Sequence, residues 1–339
     1  MTWKPQSRRD FINTGLLTAG GLGLGFAAIS NFAKKGAAPA IHPAFGPLSP
    51  VRDETTGLPL LMLPKGFRYH TFAWAGQTMS DGFATPGKAD GMGVIKQDGK
   101  LVTLVRNHEL RGSSGAFGNP DTAWDVVGGG TTNLVFDTSK EVLDHSFISL
   151  SGTLNNCGGG TTPWGTWLSC EEGIYSPDLA HHGIENRQKY WSIGNAKKHH
   201  GYVFEVGTDG LSEPEPIWDM GQFWHEAATV DPLTGIVYMT EDRSPHAGFY
   251  RYIPDVPGDL KAGGSLQMLG VEGVPELIEG IPLFRPMKTK WVDIPEPRNG
   301  HRPNSHDGKG VVTQGLDAGA SAFRALEGCI WTDGEIYFT

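Results

Sequence analysis

Four segments of the chain share a turn glycine followed by a short apolar strand: DGKLVTLVRNHE (98–109), WGTWLSCEE (164–172), TGIVYMTED (234–242) and DGEIYFT (333–339). The first three end in acids, namely Glu109, then Glu171 and Glu172, then Glu241 and Asp242. Each is preceded by another short segment, and these align at Asp90-Gly91, Cys157-Gly158, Glu226-Ala227 and Glu327-Gly328. The gap is 14 residues from Cys157 to Glu171 and 15 from Glu226 to Glu241, the near-constant spacing of a hairpin. Outer-strand candidates follow in order: 131–137 with 145–152, 200–206 with 215–221, and 248–254 with 265–271. Four strands per unit, spaced 66, 70 and 99 residues apart at Gly99, Gly165, Gly235 and Gly334, predict the blades of an all-β propeller.

Composition agrees. Glycine supplies 48 of 339 residues, charged residues only 19 %, and such glycine density weakens helix interiors, which argues against helix bundles and coiled coils. The inner strands of a propeller surround a central channel, so Asp90, Cys157, Glu226 and Glu327 are expected to form one ring. Glu109, Glu171, Glu172, Glu241 and Asp242 are expected at the other end of the strands, near a channel mouth or blade surface. Carboxylates this close raise one another's pKa unless cations neutralise them, so the ring predicts metal. Oxygen ligands favour calcium or another hard ion, and Cys157 adds a softer, iron-compatible ligand.

Any one strand-end acid is equally readable as a turn cap, whereas the joint pattern is less easily dismissed. Cys157 lies between Asn155-Asn156 and Gly158-Gly159-Gly160, a setting that favours ligation, while Cys170 and Cys329 sit in apolar strands and read as packing. His108 and His225 precede acids and are candidate partners of ligands. His181-His182 and His199-His200 resemble a metal tract in a polar insertion, and the polar loop 299–310 is a candidate channel cover. The glycine triplets at 128–130 and 158–160 do not fit a phosphate-binding GxxxxGK[ST] loop and read as strand-entry turns.

Residues 1–52 hold six Lys/Arg against Asp10, a balance of +5, so the remainder carries −14 of the total −9. An acidic body disfavours nucleic acid and suits hard cations. Ser7-Arg8-Arg9-Asp10-Phe11-Ile12 precedes a Gly/Leu/Ala run at 14–29, shorter than a membrane span needs. This pattern predicts a twin-arginine signal and linker over 1–40, with cleavage near Ala38-Pro39-Ala40, and a mature domain over 41–339 exported to the periplasm or cell exterior. The twin-arginine translocase is the expected export partner, no stable membrane anchor is expected, and the mature protein is expected to be a monomer.

The stretches RNHE (106–109), GGGTTNLVFD (128–137), GTLNNCGGGTTPWGTWLSCEE (152–172), HGYVFEV (200–206), HEAATVDPLTGIVYMTEDR (225–243) with GFYRYIP, and LEGCIW (326–331) closely resemble the PhoX family of alkaline phosphatases. The resemblance runs from about residue 50 to the last residue and includes the leader. It implies a β-propeller of about six blades with ferric iron (Fe3+) and calcium (Ca2+) in its channel. It further implies that Cys157 and Glu226 are iron or shared ligands, that Glu171, Glu172 and Glu327 bind calcium, and that Asp242 completes a calcium shell. In the family an arginine two residues before the last glutamate helps bind phosphate. Here Ala325 holds that position, and Arg324 or Arg243 stands in. The implied activity is release of phosphate from small phosphate esters, by in-line attack of a metal-bound oxide or hydroxide with no serine nucleophile. The alternative is an exported calcium-binding propeller with a non-catalytic or lactonase-like role.

The fourth unit begins at Glu327 and reaches Thr339 within the strand EIYFT. A six-bladed ring would need at least about another hundred residues, so the chain is expected to be truncated at its C-terminus and to express poorly alone. The leader carries its own test. Arg8→Lys together with Arg9→Lys should retain the precursor in the cytoplasm on cell fractionation, and normal export of the double variant would identify a general secretory signal instead.

Overall fold

The structure, a computed structural model, describes residues 45–177, 196–210, 214–279, 284–298 and 310–339. The leader, His181-His182 and nearly all of the polar loop at 299–310 lie outside the described residues. Two compact units are present, one ending at Thr71 and one beginning at Phe72. In the first, strands β1 (Leu48–Val51) and β2 (Leu61–Pro64) pair antiparallel. The buried Asp53 carboxylate shapes the chain around them, accepting the backbone N–H and hydroxyl of both Thr56 and Thr71 at 2.6 to 2.9 Å.

The second unit is a series of antiparallel meanders whose strands follow one another in chain order, the blade pattern that the repeat predicts. The first blade comprises β3 (Ala89–Asp98), β4 (Leu101–His108), β5 (Gly129–Asp137) and β6 (Val142–Thr153). The second comprises β7 (Asn156–Thr161), β8 (Trp167–Glu171) and β9 (Val203–Val206). The third comprises β10 (His225–Val230), β11 (Val237–Glu241), β12 (Phe249–Val256), β13 (Asp259–Val271) and β14 (Thr289–Asp293). A hairpin of β15 (Cys329–Thr332) and β16 (Glu335–Phe338) follows. The inner strands β3, β7, β10 and β15 pack side by side in that order. The fold is therefore all-β with propeller blades. Helix α1 (Val312–Asp317) is short, and no helix among the described residues is long and apolar enough to cross a membrane.

Two blades depart from four strands. The segment 215–221, expected to be the outer strand of the second blade, makes only a bridge from Pro216 to Phe204 before a 3-10 turn at Trp218–Met220. Pro214 and Pro216 have no N–H to give a ladder, which limits pairing there. The third blade gains β14, whose Trp291 pairs opposite Leu269 of β13.

Cohesion between blades is apolar. Leu168, Cys170, Val203, Met239, Tyr250 and Tyr252 are fully buried in one cluster shared by the second and third blades. The inner strands of neighbouring blades meet backbone to backbone. A Cβ on Gly91 would lie 2.7 Å from the Cys157 carbonyl oxygen, one on Gly158 would strike the Glu226 carbonyl, and one on Gly160 the Ala228 carbonyl. The 158–160 triplet accordingly lies inside an inner strand, not in the strand-entry turn expected, because only glycine leaves room for the next strand. Gly160→Ala should cost about 2 kcal/mol or more in denaturant unfolding, by overpacking against rigid backbone. Gly207→Ala, which meets open space, should stay within about 0.5 kcal/mol of wild type.

Candidate metal centre

Three inner strands are bulged at the same step. Register shifts between Ala89 and Met92 in β3, between Asn156 and Gly159 in β7, and between His225 and Ala228 in β10. A bulge re-aims the side chains it carries, and these bulges carry Asp90, Cys157 and Glu226. Opposite each bulge the neighbouring strand ends: Ala89 pairs with His108, Asn156 with Glu171, and His225 with Glu241. The residues that follow, Glu109, Glu172 and Asp242, are thereby brought beside the bulges. The acids expected at the far end of the strands thus stand at the same end as the ring, because antiparallel pairing returns the end of the second strand to the start of the first.

Backbone alternation then separates each terminal pair. His108, Glu171 and Glu241 are fully buried. His108 spans the Gly87 carbonyl (2.8 Å) and Thr132 Oγ1 (2.9 Å). Glu171 Oε1 accepts from the Leu154 N–H and meets His200 Nδ1, both at 2.7 Å, and Oε2 accepts the Gly201 and Tyr202 N–H groups. His200 also reaches Asp125 Oδ2 at 3.2 Å. Burial works against an imidazolium there, but Glu171 and Asp125 outweigh it and push His200 up to about 9. The structure thus places Glu171, with His200, in a buried ion-pair network, and His199 against Ser176 Oγ. Glu241 accepts from the Gly248 N–H and the Tyr250 hydroxyl.

The partners of these buried groups are brought together. Ligand atoms of Cys157, Glu172 and Glu226 all lie within 4.8 Å of one another. Burial, reinforced by Glu226, Asp242 and Glu109, pushes Glu172 up to about 8. Burial, with Glu327, Asp242 and Asp90, outweighs the Cys157 thiol's hydrogen bond and pushes Glu226 up to about 7. Burial and Glu226 hold the Cys157 thiol well above its usual range. Asp90 is raised by burial and by Glu109, and Glu327 by burial, Asp242 and Asp90. Six carboxyl groups and a thiol thus gather at one end of the blades, graded from buried Cys157 to exposed Asp90 and Glu327.

The fourth segment is fastened beside the third blade. Leu326 N–H donates to the Glu241 carbonyl (3.1 Å), Ala325 N–H to the Arg243 carbonyl (2.8 Å), and the Thr240 hydroxyl to the Glu327 carbonyl. These bonds set Glu327 near Asp242 and bring the backbones of Arg243 and Arg324 close. The Arg243 guanidinium stacks over Trp224, 4.2 Å from the ring centroid, while Arg324 is exposed. Cys170 is buried among apolar side chains, and Cys329 packs against Phe249 and its neighbours. His225 meets the Gly221 carbonyl through Nε2, and burial drives it down to about 3.

Spacing alone did not reveal two asparagines. Asn107 donates through Nδ2 to the Cys157 and Gly158 carbonyls and accepts from Trp167 Nε1 and Ser169 Oγ, which pins the second bulge to the first blade. Asn155, legible only as a flank of Cys157, bonds both Glu109 and Glu172.

The crowding of acids fixes a sign for the pH dependence. Folded-state pKa values of about 7 to 8 at Glu226 and Glu172 exceed the unfolded 4.5, so the metal-free fold binds extra protons and loses that stability as pH rises. His200, raised above 6.5, acts in the same direction. Chelated protein should therefore show a falling Tm between about pH 6.5 and about pH 8, and added calcium should flatten the decline. A chelated protein whose Tm rises over that window would contradict the assignment.

A family model described as Alkaline phosphatase PhoX matches residues 44–134 and 126–339, two overlapping segments that together take in every described residue. No curated protein and no solved structure matches the chain. With this coverage, on an all-β framework of blades, the chain belongs to the PhoX family of alkaline phosphatases and is a phosphoric monoester hydrolase.

Proposed function

We propose that phosphate monoesters are hydrolysed at the cluster of Cys157, Glu172, Glu226, Asp242 and Glu327, with ferric iron and calcium as its resident metals. The observation that carries this reading is the gathering of acids whose pKa values are raised chiefly by burial and by one another. Such a group is self-repelling at neutral pH unless protonated or bound to cations. The donor set suits two classes of ion. Cys157 with Glu226 fits ferric iron, while Glu172, Asp242 and Glu327 offer the oxygen donors that calcium takes. Glu171 leaves the ligand set, because four hydrogen bonds already occupy its oxygens.

Bound there, the metals supply Lewis acidity towards phosphoryl oxygens and a nucleophile at neutral pH. The chain's own residues supply position. Cys157 and Glu226 must lose their protons on loading. The Trp224 ring holds the Arg243 guanidinium in one plane, suited to paired phosphate oxygens, and exposed Arg324 reaches the ester from the adjoining segment. Export through the twin-arginine route would deliver a folded, metal-loaded monomer to the periplasm or the cell exterior.

Purified protein should release p-nitrophenol from p-nitrophenyl phosphate, lose that activity to a chelator, and contain both iron and calcium on elemental analysis. Zinc alone, or no metal, would overturn the metal assignment. Cys157→Ser should remove iron and at least about 99 % of activity, whereas Cys170→Ser should keep its metal content. Equal loss in both variants would refute the role of Cys157. Arg243→Ala and Arg324→Ala should retain metal, and the residue that binds substrate should show a KM raised about tenfold or more.

A further inference from the structure

Asn155 occupies the corner between β6 and β7 and is fully buried in a left-handed backbone conformation, with φ of 53°. Asparagine is among the few side chains that accept this conformation readily. Its backbone N–H donates to the Leu110 carbonyl at 3.0 Å, directly after Glu109, and its carbonyl accepts the Glu172 N–H at 3.2 Å. Its side-chain Nδ2 donates to Glu172 Oε2 at 2.9 Å and to Glu109 Oε1 at 3.3 Å. One residue therefore touches the acid-bearing ends of two blades through both backbone and side chain.

The other end of the same amide is unusual. Oδ1 is buried and has no hydrogen-bond partner. A buried carbonyl oxygen without a donor is costly, and turning the amide over would set that oxygen against two carboxylates. The orientation of Asn155 is thus dictated by Glu109 and Glu172. A neutral amide can align two carboxyl groups, and a cation bound between them would cancel the charge that the amide cannot.

We propose that Asn155 is a positioning residue that holds Glu109 and Glu172, from adjacent blades, side by side so that both serve one hard divalent cation of the calcium class. The inference rests on the metal-centre reading above and adds Glu109 to the ligands. Groups that orient metal ligands are commonly worth about tenfold to a hundredfold in affinity.

The test uses the full chain purified with its metals and then titrated with calcium against a chelating buffer. Asn155→Gly keeps the left-handed backbone accessible and removes only the amide. It should need about tenfold more free calcium than wild type, both for the Tm rise and for half-maximal activity, with kcat restored at saturating calcium. Glu109→Gln should weaken calcium similarly, and the double variant should be no weaker than the poorer single one, because both changes break one arrangement. Should Asn155→Gly fail to fold, Asn155→Asp serves: it keeps the side chain's size but has no side-chain N–H to give Glu109 and Glu172, so it should lower the metal-free Tm and shift the calcium midpoint away from that of wild type. A wild-type calcium response in the folded Asn155 variant, or additive losses in the double variant, overturns the proposal. Glu172→Gln separates the two levels. If it loses calcium while Asn155→Gly does not, only the role of Asn155 fails; if wild type itself shows no calcium response, the metal-centre reading fails with it.

Discussion

Antiparallel pairing between each inner strand and its neighbour sets where chemistry can occur in this fold. It brings the first residues of β3, β7 and β10 opposite the last residues of β4, β8 and β11. Because β3, β7 and β10 are each bulged at that point, the residue after the pair is freed from strict alternation and can face its neighbours from the other blades. Each of these three blades therefore brings two acidic or thiol side chains to one level: Asp90 with Glu109, Cys157 with Glu172, and Glu226 with Asp242. The centre is a property of the repeat before it is a property of any one residue.

The same pairing supplies anchorage. His108, Glu171 and Glu241 are buried and hydrogen-bonded, Glu241 through Oε2 alone, so each strand end is fastened immediately before the acid that joins the cluster. In the second blade the fastening is ionic, with His200 between Glu171 and Asp125. In the third it is a carboxylate held by Gly248 and Tyr250. A charged group buried with its counter-charge restricts motion at a point where the next residue would otherwise be pushed outward by its neighbours. Repulsion among the gathered acids thus falls on hydrogen-bonded residues beneath them.

Much of this was legible in the chain. The recurrence of turn glycine, apolar strand and terminal acid exposed the blades, and the constant gap of 14 to 15 residues already contained the hairpin that unites the two sets of acids. What spacing could not distinguish was which acid of a pair faces the cluster. Glu171 and Glu172 are chemically alike and adjacent, and only the Leu154, His200, Gly201 and Tyr202 contacts single out the first as internal. Outer strands are less legible where local chemistry intervenes, as at Pro214 and Pro216, which have no N–H to give a ladder. Asn155 and Asn107 act through backbone groups distant in sequence, for which no motif exists. The leader and His181-His182 lie outside the described residues.

The glycines at 91, 158 and 160 have a consequence for how such a protein can diversify. Where neighbouring backbones touch, the spacing between inner strands is set by main-chain contact and cannot be widened or narrowed by exchanging side chains. On the proposed reading, variation in what the site accepts would arise in the segment that carries Arg324 and in the loop that carries Arg243, while the packing of the inner strands stays the same. Such a scaffold would separate the acids, fixed by backbone packing, from the arginines proposed to meet the substrate, so recognition could drift without loosening the strands beneath.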